Sequence, residues 1–154
     1  MLRSIAYTGP LFFLAGLLGV APALAEGPGG GTQSLSGICA SNRDYSGIAQ
    51  ECLGPQATPD LLFYSAGPQF NYSVTFSAPS THCSKVGYHV FTYDLSRTLG
   101  GTGLLDPGRS QTITIGNGYA AGLQIAKVKA FGWIGGCNQG VLESWGGTAT
   151  VVQR

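Results

Sequence analysis

Four cysteines, Cys39, Cys52, Cys83 and Cys137, carry the best-defined chemistry in this chain. An even count in an exported chain reads as two disulfides, and four cysteines allow three pairings. The favoured pairing is Cys39–Cys52 as a local loop and Cys83–Cys137 as a long bridge. The loop-entropy model assigns about 3 kcal/mol to the first and about 4 kcal/mol to the second. The competing chemistry is a metal site, because His82 adjoins Cys83 and His89 follows on the same stretch. It lacks Cys-x-x-Cys or paired-His spacing, so neither a metal nor a cofactor is expected.

Other reactive constellations are missing from the sequence. There is no Gly-x-Ser-x-Gly elbow, no Ser-x-x-Lys, no His-Glu-x-x-His and no Asp-rich calcium loop. Paired cysteines would leave no thiolate nucleophile. The acidic residues are scattered: Asp60 follows Pro59 as a turn residue, and Asp106 opens an Asp-Pro-Gly turn. A glycosidase needs one carboxyl with a raised pKa beside another that is ionised. Glu143, between Leu142 and Trp145, is the carboxyl best placed to be perturbed, but a surface glutamate near a tryptophan is the plainer reading. No catalytic residue is assigned, and the expectation is a non-enzyme.

Aromatic and amide side chains offer a binding chemistry instead. Trp133 and Trp145 bracket Cys137-Asn138-Gln139 within a glycine-rich stretch. An indole stacks on the apolar face of a pyranose while amides bond its hydroxyls. Trp133, Asn138, Trp145 and Tyr119 therefore form the candidate ligand-binding set. Against it stands a structural role, in which the tryptophans plug an open end of the fold against a disulfide.

Composition narrows the setting. Arg3, the apolar run Leu11–Val20 and Ala23-Leu24-Ala25 read as a secretory signal over residues 1–25. The apolar run is shorter than the roughly 20 residues a membrane span needs. An exported chain, extracellular or periplasmic, with no membrane span after signal cleavage is expected. Charged residues are 10% of the chain, against a usual ~25%. No run of like charge exists, which argues against nucleic acid as a partner and leaves a protein or a glycan.

Periodicity supplies the elements that must position these groups. Residues 26–36 are glycine-rich and read as a flexible leader, with one domain over 37–154. A helical turn is expected at Asp44–Glu51, weakened by Gly47. Leu61–Ser65 is a short apolar strand. Phe70, Tyr72, Val74 and Phe76 alternate on one face, as do Val86, Tyr88 and Val90, which indicates half-buried strands. The long connection Ser77–Ser84 suggests a crossing between sheets, and Leu95–Leu105 reads as a loop. Gln111–Ile115 is a strand, and Asn117-Gly118 predicts a two-residue hairpin setting Ile115 opposite Ala120. Leu123 and Ile125 share the parity of Lys127 and Lys129, while Val128 and Ala130 have the other. A bulge near Ile125–Lys127, or a strand buried on both sides at its start, is expected to reconcile them. Phe131–Gly147 reads as a tail loop and Thr148–Val152 as a terminal strand.

The pattern predicts an all-β chain: a small antiparallel two-sheet β-sandwich, immunoglobulin-like in outline, with six or seven strands and two disulfides. The expected function is contact, as a secreted binding or extracellular/envelope structural protein. One alternative is a carbohydrate-binding module using the loop tryptophans. Another is a small secreted enzyme or an inhibitor presenting the loop Ser77–Ser84.

Overall fold

A computed structural model of the chain describes residues 29–43, 50–52, 58–132 and 141–154. Nine strands are present among them: β1 Gly29–Arg43, β2 Gln50–Glu51, β3 Asp60–Ser65, β4 Tyr72–Ser77, β5 Val86–Thr92, β6 Thr98–Gly101, β7 Ser110–Gly116, β8 Gly122–Gly132 and β9 Val141–Gln153. Eight of them form two antiparallel sheets of four, in the orders β6-β5-β8-β3 and β1-β9-β4-β7. The two-residue β2 pairs with the end of β8. The architecture is a β-sandwich with more strands than the six or seven expected.

Alternation does the packing. From the first sheet, Leu61, Phe63, Val86, Tyr88, Val90, Ala126, Val128 and Ala130 point inward and are buried. From the second, Tyr72, Val74, Phe76, Ile113, Ile115, Ala149 and Val151 meet them. Each large side chain so removed from water contributes about 1.5–3 kcal/mol. Phe76 stacks on Tyr88 across the two layers, with ring centroids 4.9 Å apart and planes 12° apart. The Tyr88 hydroxyl donates to the Gly146 carbonyl at 2.7 Å, so its polar tip is satisfied in the interior.

The two sheets meet along lateral seams. At one, β1 and β3 pair directly through Gly29 and Tyr64. At the other, a side chain on Gly100 of β6 would press on the Thr114 carbonyl of β7 at 3.0 Å, so the bare backbone is what allows the approach.

Four expectations about the chain path are corrected. The glycine-rich segment read as a leader is strand from Gly29 onward, part of β1, which pairs with β9 over ten register positions between Gly29 and Arg43. The segment Leu95–Leu105 contains β6, which forms a hairpin with β5. The stretch Phe131–Gly147 belongs at both its ends to long strands, β8 and β9. Asn117-Gly118 does not close a hairpin: β7 pairs with β4, whereas β8 pairs with β3 and β5. That turn carries the chain from one sheet to the other, with Tyr119 sealing the end against Phe63 and Tyr72 at 5.1 and 5.6 Å. The crossing expected at Ser77–Ser84 does occur, since β4 and β5 lie in opposite sheets. The helical turn expected at Asp44–Glu51 falls largely outside the described residues.

The outer face of the second sheet is polar and hydroxyl-rich. One row runs Thr32, Thr150, Thr75, Thr112 across its four strands, and the next runs Ser34, Thr148, Ser77, Ser110. Hydroxyls bond in cross-strand pairs, Thr32 to Thr150 at 2.7 Å, Thr75 to Thr112 at 2.8 Å and Ser77 to Ser110 at 2.7 Å. Such pairs add a few tenths to about 1 kcal/mol each to a sheet.

Candidate binding face

Strand β8 decides where an exposed surface lies. Its register runs without a shift against both β3 and β5, so the bulge expected near Ile125–Lys127 is absent. With period two intact, Ala126, Val128 and Ala130 face the core, and Leu123, Ile125, Lys127, Lys129 and Phe131 share the opposite face. Leu123 and Ile125 keep 46% and 41% of their surface in water. Opposite them on β3 stand Tyr64, 43% exposed, and Leu62. Two register pairs thus place four large side chains together on a solvent-facing sheet.

Cations and rings continue that face toward β5. The Lys127 ammonium lies 2.5 Å from Asp60 Oδ1 and 5.1 Å from the centroid of Tyr93. Lys129 reaches over Phe91 at 4.9 Å. His89 stacks on Phe131 at 4.5 Å and meets Phe91 edge-on at 6.2 Å. An exposed ion pair adds about 0–1 kcal/mol, so its main effect is to hold Lys127 between a carboxylate and a ring. Such a surface can stack rings, bury methyls and exchange hydrogen bonds at its margin.

Of the ligand set nominated from the sequence, Trp145 and Tyr119 are among the described residues, and both pack against the core. Trp145 is buried at 5% exposure, its ring 5.9 Å from that of Tyr88, and its Nε1–H has no hydrogen-bond partner among the described residues. Tyr119 lies at the sandwich end, its hydroxyl donating to the Ile115 carbonyl at 2.7 Å, and burial pushes its pKa up. These two rings contact different parts of the core, and neither offers an open stacking surface. Trp133 and Asn138 lie outside the described residues.

The remaining candidates have structural surroundings. Cys52 and Cys83 are disulfide-bonded, and among the described residues no cysteine is free. Cys52 is buried and its N–H donates to the Ala130 carbonyl at 2.8 Å. His82 has its pKa lowered by desolvation and donates its backbone N–H to Pro79. Among the described residues, no group of three or more His, Cys, Asp or Glu is placed to hold a metal ion. No helix there is long and apolar enough to cross a membrane. The side chain of Glu143 is outside the described set.

Known proteins add little to this geometry. No protein-family model matches the chain, and no curated protein does. Two solved structures align with 79% of it, each at a TM-score of 0.28: infectious bursal disease virus Gx strain, at 8% identity, and the T13 IBDV viral particle, at 11%. The chain spans 32% and 31% of those chains. A likeness at that score carries no argument about this protein.

Sequence reasoning passed over Leu62, Tyr64, Leu123, Ile125, Phe91 and Tyr93 as surface residues. The signal was the shared parity of Leu123 and Ile125 with Lys127 and Lys129. Assigning the apolar pair to the interior required either a bulge or a strand start buried on both sides, and the continuous ladder with Leu123 and Ile125 in water shows neither.

Proposed function

We propose that this is a secreted, non-enzymatic β-sandwich that acts by binding a partner through the outer face of β3, β8 and β5. The observation that carries the reading is the Leu123–Tyr64 and Ile125–Leu62 pairing, which keeps large apolar side chains in water on an otherwise ordered sheet. A contiguous apolar patch rimmed by polar groups marks a contact site, and aromatics beside cations are the side chains that anchor one. The partner is a protein or a glycan with an apolar face. With Trp145 buried, a glycan on this face would meet Tyr64 and Tyr93 rather than that indole.

Export and two disulfides belong to the same proposal. The bonded state of Cys52 and Cys83 fits disulfide bracing, and Cys39–Cys52 with Cys83–Cys137 is the pairing proposed. The Cys83–Cys137 bridge is supported by the register of Val86 against Gly132, since Cys83 precedes one and Cys137 follows the other by a few residues. Mass spectrometry of the mature protein after nonreducing digestion tests both: it should begin at Glu26 and give those two linked peptide pairs.

The binding reading is tested by light scattering coupled to size exclusion, together with capture from the exported fraction and binding to a glycan panel. The wild-type chain should bind a partner that the Leu123→Lys/Ile125→Lys variant fails to bind, with unchanged circular dichroism. A wild-type monomer that binds nothing, or a variant that binds equally well, overturns the proposal.

A further inference from the structure

We draw no further inference here: the strongest candidate, the two rows of cross-strand serine and threonine hydroxyls on the outer face of β1, β9, β4 and β7, is a regular solvated sheet face, and nothing in the structure shows what covers it.

Discussion

The carboxamide of Gln33 bonds both backbone groups of Leu62, its Nε2–H donating to the carbonyl at 2.5 Å and its Oε1 accepting the N–H at 2.9 Å. A side chain here does what a neighbouring strand does elsewhere. Beyond Gly29 the backbones of β1 and β3 separate, and Leu62 would otherwise lose its ladder partner on that side. Gly30 sits at the same seam, where a methyl group would press on the Leu62 carbonyl at 3.0 Å. The sandwich is thus closed along this edge by the Gly29–Tyr64 backbone pairing, the Gln33 amide and the bare backbone of Gly30.

Gln33→Leu should destabilise the chain by about 1–3 kcal/mol, because it leaves the half-buried Leu62 N–H and C=O without a partner. Gln33→Glu separates hydrogen bonding from packing. A protonated glutamic acid can both donate and accept, whereas a carboxylate can only accept, so folding raises its pKa above the unfolded value of about 4.3. The bond it donates to the Leu62 carbonyl is fully present below that unfolded value and is lost as pH rises through the higher folded one. Urea midpoints of this variant should approach wild type near pH 4 and fall below it by pH 7. Parallel curves at both pH values would exclude the seam.

Gly37 faces Trp145 across β1 and β9, and a methyl group on Gly37 would overlap the indole. Gly37→Ala should cost about 1–3 kcal/mol through overpacking. Trp145→Ala alone should cost about 3–5 kcal/mol as a cavity. The double variant should be less destabilised than the two costs added, since the alanine at 37 meets no ring. Thermal or urea unfolding of the four proteins reads this coupling, and strict additivity would disprove the contact.

Asp94 accepts hydrogen bonds from the Thr92 hydroxyl at 2.6 Å and from the Ser96 hydroxyl and N–H at 2.8 and 3.1 Å. These bonds, Thr92 first, lower its pKa to about 2. The group therefore favours the fold above its unfolded value of about 3.9 and loses that effect as pH falls through about 2. A carboxyl titration by NMR should find Asp94, in the β5–β6 turn, titrating well below the ordinary aspartate range. Thr92→Val should move it upward, and an unchanged midpoint would count against the turn geometry.

Burial raises the pKa of Tyr88, whose hydroxyl is committed to Gly146. The neutral phenol stabilises the fold fully below the unfolded value of about 10, and that contribution fades as pH rises toward the higher folded value. Phenolate absorbance should show Tyr88 ionising only together with alkaline unfolding. Tyr88→Phe should cost about 1–3 kcal/mol, because the Gly146 carbonyl loses its buried donor.

The class of fold was readable in single residues. Tyr72, Val74 and Phe76, and Val86, Tyr88 and Val90, alternate in the sequence and are buried side by side in the sandwich, because a pleated strand has two faces and only one meets the core. The crossing between β4 and β5 was likewise legible, in a connection too long for a tight turn. Gly29 to Thr32 and Leu99 to Gly101 left almost no side-chain pattern, yet both are strand, since ladders are built from backbone groups. His89 overlies Gly101 just as Trp145 overlies Gly37, so the neighbouring strand supplies the covering atoms.

What alternation by itself determined was which residues are extended and which of their faces differ in character. It could not choose partners. Asn117-Gly118 has the chemistry of a hairpin, but β7 gains more ladder from β4 and β8 from β3 and β5, and those pairings join residues far apart in the chain. The same long-range choice turned Leu123 and Ile125 outward, because Ala126, Val128 and Ala130 already occupied the inner face. Local periodicity records that a strand has two sides; only packing against distant strands decides which side water keeps.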